Sequence, residues 1–193
     1  MSPFVHVLWP SETGSVDLRV SASNQTAHGD QGSWTPYFDS PGYLVRSNAL
    51  ASFVWARYIL NIPKNATITS ATFTLYQQET ATYYTTQDDR TIGAVQADNP
   101  SAPTNASETE AACENLGTTA TWANSGAFSN QNPLPSGDIS SVIQQIVNRA
   151  GWSSGNAIII VATHPGSGSK THQQRMYDST ESLRPRLQVE YTA

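Results

Sequence analysis

The stretch Thr67 to Gln77 constrains this chain most, because its side chains change character at every residue. Ala71, Phe73 and Leu75 alternate with Thr72, Thr74 and Tyr76. A period of two, written in β-branched and aromatic residues, predicts a strand with one face on a core. The turn Pro63-Lys64-Asn65-Ala66 precedes it, since proline presets φ and asparagine tolerates left-handed backbone. The same grammar recurs along the chain. Phe4 to Leu8 and Val16 to Ala22 read as strands, followed by a turn-rich stretch from Asn24 to Gly42. Ser52 to Leu60 carries Val54, Ala56, Tyr58 and Leu60 on one face and Trp55, Arg57 and Ile59 on the other. Thr91 to Ala97 and Thr118 to Trp122 are shorter strand candidates. Ala157 to Ala162 is apolar throughout, as expected of a central strand covered on both faces. At the C-terminus Leu187, Val189 and Tyr191 alternate with Arg186, Gln188 and Glu190. Short strands punctuated by Gly, Pro, Asn and Ser predict an all-β, antiparallel sandwich.

One helix interrupts this pattern, over about residues 138 to 149. Asp138 suits its N-cap, and Ile139, Val142, Ile143, Ile146 and Val147 recur at helical spacing. Gln144 falls on the face opposite Ile143 and Ile146, so it is expected to be dispensable. Arg149 falls in the last turn, and Gly151 is placed for a left-handed C-terminal residue. Asp98 to Gly117 reads as a long acidic loop with one helical turn around Ser107 to Cys113. Cys113 is the only cysteine, so no intrachain disulfide forms. No basic or histidine neighbour activates it in sequence, and it reads as a small packing residue.

The 193 residues contain no repeat and no linker, and suit one domain over 1–193. Only 13% are charged, about half the usual share, with Thr, Ser, Asn and Gln in their place. A net charge of −5 argues against nucleic-acid binding, which requires a basic stripe. No apolar run is long enough for a transmembrane helix, and the first ten residues lack the basic start and long apolar run of a secretory signal. The chemistry is that of extracellular or virion β-proteins without an export address. The expectation is assembly in a host cytoplasm into a particle, with release from a larger secreted protein as the alternative.

Candidate chemistry is thin. His6, His28, His164 and His172 are scattered, with no helix-borne metal pair and no nucleophile elbow. His28-Gly29-Asp30 offers half an acid–base pair, but in a stretch where Gly and Asp serve turn geometry. Gly166-Ser167-Gly168-Ser169-Lys170-Thr171 resembles a phosphate loop but has His164 and Ser169 where the motif needs glycine. Asp88-Asp89 beside Arg90 reads as a solvated turn. Asn24, Asn65 and Asn105 open N-x-[ST] triplets, which an Asn- and Thr-rich chain produces by chance. No catalytic residue, cofactor or metal ligand is expected. The candidates for contact with a partner or glycan are aromatic residues among turns: Trp34, Tyr37 and Tyr43, then Tyr83 and Tyr84. For Trp34 and Tyr37 the plainer reading is that they cap the core.

Four motifs in order carry a family resemblance: Arg57 to Pro63 running into Ala66 to Leu75, Asp138 to Asn148, Gly151-Trp152 with Ser154-Gly155-Asn156, and Arg184 to Tyr191. Together, over roughly residues 52 to 191, they resemble DNRLRE-type jelly-roll modules, although the six-residue stretch that names that family is not evident. The resemblance implies a jelly-roll sandwich of the kind found in carbohydrate-binding or cell-surface proteins and in bacteriophage virion proteins. The expected function is a non-enzymatic virion structural protein, such as a capsid decoration, cement or fibre subunit. Its expected partners are a major capsid or tail protein and further copies of itself. The alternative is a secreted, extracellular carbohydrate-binding module whose partner is a polysaccharide.

Overall fold

In a computed structural model the described residues are 12–38, 42–45, 51–78, 90–123, 130–164 and 172–193. Their strands are β1 (Thr13–Arg19), β2 (Thr26–Asp30), β3 (Gly42–Val45), β4 (Ser52–Leu60), β5 (Thr67–Gln77), β6 (Arg90–Val95), β7 (Leu116–Trp122), β8 (Pro133–Pro135), β9 (Asn156–His164), β10 (His172–Arg175) and β11 (Arg186–Thr192). Two helices, α1 (Ala106–Glu114) and α2 (Ser140–Val147), join them. The first sheet runs β1-β11-β5-β10-β3, with β8 on the other edge of β5, and the second runs β2-β4-β9-β6-β7. All pairings are antiparallel, and the chain crosses repeatedly from sheet to sheet, as in a jelly roll. The protein is an all-β sandwich.

The alternation read from sequence decides what lies between the sheets. Val54, Ala56, Tyr58 and Leu60 of β4 and Ile158, Ile160 and Ala162 of β9 face Ala71, Phe73 and Leu75 of β5 and Leu187 and Val189 of β11. β9 is central to its sheet, and its opposite residues Ile159 and Val161 join a second apolar cluster with Phe53, Trp55, Ala112 and Cys113. The apolar run at 157–162 therefore has cover on both faces, the outer cover coming from α1. The turn at 63–66 is present, with Asn65 at φ 60° and the Ala66 amide donating to the Pro63 carbonyl.

Several expectations need correction. The first described strand is Thr13–Arg19, three residues earlier than the apolar cue at Val16 suggested, because its pairing with β11 extends beyond its apolar residues. β2 lies inside the stretch read as turns. Its Thr-Ala-His-Gly-Asp sequence carries no apolar alternation, and its ladder with β4 defines it. The 98–117 loop holds a nine-residue helix, α1. Asn105 caps it by accepting from the Glu108 amide, and Glu108 reaches back to accept from the amide of Thr104, the residue before the cap. Phe4 to Leu8 lies outside the described residues.

α2 spans Ser140–Val147, with Ile139 at the N-cap and Asp138 before it. Asp138 Oδ1 accepts from the Ser140 amide and the Ala71 amide of β5, at 3.1 and 3.0 Å, so it joins helix start to sheet edge. Ile139, Val142, Ile143, Ile146 and Val147 are fully buried, as their spacing predicts. Arg149 lies past the helix and pairs with Asp98 at 2.5 Å. Gly151 does not adopt positive φ; a Cβ there would meet Asp98 Oδ2 at 2.2 Å, so the glycine serves close approach.

Gln144 is not idle. Its Oε1 accepts from the Ile68 amide at 2.8 Å and its Nε2 donates to the Ala66 carbonyl at 2.9 Å. Next along the helix, Gln145 Oε1 accepts from the Thr118 amide and its Nε2 donates to the Thr118 carbonyl, at 2.6 and 2.9 Å. Each primary amide substitutes for a strand peptide, one on β5 and one on β7. A single helix thus closes the side of the sandwich between the two sheets.

Candidate functional site

Among the described residues, buried polar side chains gather at one end of the sandwich, where β2, β5 and β9 finish and β4 and β6 begin. Cross-strand register sets Asp30, Ser52 and His164 in one row on the inward face of β2, β4 and β9. Ser52 is fully buried and His164 is 1% exposed. His28 stands one step further in, beside Val54. Arg90 opens β6, buried, with its guanidinium 5.2 Å from the Trp122 ring. From the other sheet, the register partners Gln77 and Gln174 are both buried.

The row contains serine, histidine and aspartate, but their order decides its chemistry. A hydrolytic relay needs the imidazole between hydroxyl and carboxylate. Here the serine is in the middle, and two strand spacings put Asp30 about 10 Å from His164. Register thus sets Asp30 and His164 on either side of Ser52. Among the described residues no group of three or more His, Cys, Asp or Glu is placed to hold a metal ion. Cys113 is buried, and burial, with the Glu114 charge, pushes its thiol up to about 12. At neutral pH it stays protonated and packs as a small side chain, as read from sequence.

The aromatic candidates separate. Trp34 stacks on Phe53, centroids 5.7 Å apart, and joins the second apolar cluster. It holds φ 53°, unusual for a bulky residue, while its amide donates to the Asp30 carbonyl at 2.8 Å. Trp34 therefore covers the core. Tyr37 is 49% exposed and stacks on His28 at 5.6 Å, with reciprocal backbone hydrogen bonds between the two residues. It is a presented ring on a rigid base. Tyr43 lies in β3, at the edge of the first sheet, which packs near β2 and β4. Tyr83 and Tyr84 lie outside the described residues, as do Gly166 to Thr171 and Asp88-Asp89.

A surface not singled out from sequence is the outer face of the first sheet. Ser15 and Asp17 of β1, Gln188 and Glu190 of β11, and Ser70 and Thr72 of β5 form it by register. Two adjoining depressions of ≈ 330 and ≈ 260 Å³ share Ser15 and Glu190 in their walls. Ser70 donates to Glu190 at 3.2 Å. Asp17 pairs with Arg186, and that hydrogen bond holds its carboxyl below the usual range. The signal was the polar half of each alternating strand.

No family model and no curated protein matches the chain. Among solved structures it is similar to an exo-β-1,3-galactanase from Phanerochaete chrysosporium with galactose, at 10% identity and a TM-score of 0.34. That alignment covers 91% of this chain and 29% of the galactanase chain.

Proposed function

We propose that this protein is a non-enzymatic structural component of a virion, a capsid decoration, cement or fibre subunit that works through surface contacts. The observation that carries the reading is the contrast between buried chemistry and presented surface. Ser52 and His164 are enclosed in the interior, whereas Tyr37 is offered to solvent on a base of paired backbone. A half-exposed ring that is already ordered loses little entropy on docking, which is what an anchor residue requires. The site of action is the virion, assembled in the host cytoplasm, and the partner is a major capsid or tail protein.

The test is co-sedimentation of purified protein with capsids or tails of a phage whose genome encodes it. The expected result is saturable binding that moderate salt barely changes and that Tyr37→Ala weakens by about tenfold or more. Absence of binding at saturating particle concentration rejects the reading.

A second reading has its own observation. Hydroxyls, a carboxamide and two carboxylates line the depressions on the outer face of the first sheet, a donor–acceptor set suited to sugar hydroxyls. Retention on a polysaccharide column, lost in Glu190→Ala, would favour an extracellular carbohydrate-binding module.

A further inference from the structure

The edges of the two sheets are treated unequally. Along β5 the Ile139 and Ser136 amides donate to the Ala71 and Phe73 carbonyls, and Asp138, Gln144 and Ser136 side chains take strand amides. On β2 the outward groups of His28 pair with Tyr37, and the Asp30 carbonyl receives the Ser33 and Trp34 amides. On β7 the outward groups of Thr118 are held by Gln145. β1 has no such cap. It is seven residues long and, among the described strands, ends its sheet and pairs with β11 alone.

Its ladder shows which groups are open. Glu12 and Ala193 exchange both backbone hydrogen bonds, and the Val20 amide donates to the Pro185 carbonyl. Even-numbered residues therefore point their amides and carbonyls at β11, and Thr13, Ser15, Asp17 and Arg19 point theirs outward. Among the described residues nothing hydrogen-bonds to those outward groups. Val16 and Leu18, on the inner face, pack against the core but remain only partly buried.

We propose that β1 is the site of self-association, pairing antiparallel with β1 of a second copy across a two-fold axis at Val16. This names an interface for the oligomer in the virion reading, but stands on strand geometry alone. Register selects the axis. Centred on Val16, the pairing uses all seven residues and sets Ser15 opposite Asp17 and Thr13 opposite Arg19, with no like charges facing. Centred on Asp17, it would oppose two carboxylates, which is unfavourable. The Val16 axis brings together two half-buried valines and sets Leu18 against Gly14, which the Tyr191 ring covers. An isologous contact of this kind closes at two copies and joins two sheets into one.

The experiment is light scattering on eluted wild-type protein over a concentration series, with three variants. Ser15→Pro removes an outward amide but none of the bonds to β11. Ser15→Glu places two like-charge pairs across the axis, and Ser15→Lys places two opposite-charge pairs there. The expected result is a wild-type dimer, a monomeric but folded Ser15→Pro by circular dichroism, and dissociation constants on the order of tenfold weaker for Ser15→Glu and tighter for Ser15→Lys. A wild-type monomer overturns the proposal, as does a dimer indifferent to all three substitutions. A monomer whose β1 amides resist hydrogen exchange until residues 1–11 are deleted also overturns it, because the chain's own start then occupies the edge. A dimer that fails to bind particles rejects the virion reading and leaves this interface standing.

Discussion

Gln144 shows why a residue's role is harder to read than its face. Helical spacing correctly puts it away from Ile143 and Ile146, and an amide on a polar face reads as solvated. What the spacing omits is the neighbour on that side, the N-terminal end of β5, whose Ile68 amide and Ala66 carbonyl it binds. Gln144→Ala is expected to destabilise by about 1–3 kcal/mol, the cost of leaving a partly buried amide unpaired. Denaturant melts check this, and a change within experimental error would mean that water replaces the glutamine. Trp34 followed the plainer of its two readings. Its place among turn residues offered a presented ring or a core cap, and the chain folds back and lays it on Phe53 as the cap. Tyr37, three residues on, is the one that faces solvent. No local rule separates the two, because the difference lies in how the segment after β2 crosses the outer face of the second sheet.

Elements with strong periodicity were legible, and those defined by their partners were not. β4 and β5 have the bounds their sequence gives, because apolar alternation and the turn between them are local signals. β2 was missed because its order comes from β4 on one side and Tyr37 on the other. α1 was read as a single turn since its apolar stripe is only Ala112 and Cys113, although Asn105 and Glu108 form a cap that sequence could have flagged. α2 was plain, and its four apolar residues and the N-cap Ile139 are all fully buried. Ile143→Ala and Ile146→Ala are each expected to lower stability by about 2–5 kcal/mol through lost burial and a residual cavity. Chemical denaturation measures this, and a loss under about 1 kcal/mol at both sites would show that the helix does not close the core.

At the level of the whole molecule, acid is the informative perturbation. Asp17 is held below the usual carboxyl range by its Arg186 hydrogen bond, and Asp138 by the Ala71 amide. For Asp178 burial pushes upward, but the Thr180 amide and Arg175 outweigh it. Each folded pKa lies below the unfolded value, so each carboxylate's contribution is complete above about pH 4 and is lost as pH falls through the folded value. The thermal midpoint is expected to be level from neutral pH to about pH 5 and to drop below about pH 4. Asp138→Asn, which keeps an acceptor but not a charge, should make that drop shallower. A drop of unchanged steepness would remove Asp138 from the account. The fold was readable from sequence because it rests on alternation repeated over many strands. The polar end was not, because Asp30, Ser52 and His164 are more than 20 and 110 residues apart in the chain and meet only through strand register.

The adjacent glutamines of α2 also fix how the sandwich responds to force. Pulling β5 away from β7 loads the hydrogen bonds of Gln144 to Ile68 and Ala66 and both bonds of Gln145 to Thr118 together, through one short rigid rod. Bonds loaded together share the tension, whereas bonds at the open end of a hairpin fail one by one. This side of the molecule is therefore the stiff one, and tension applied through the two sheets opens it last.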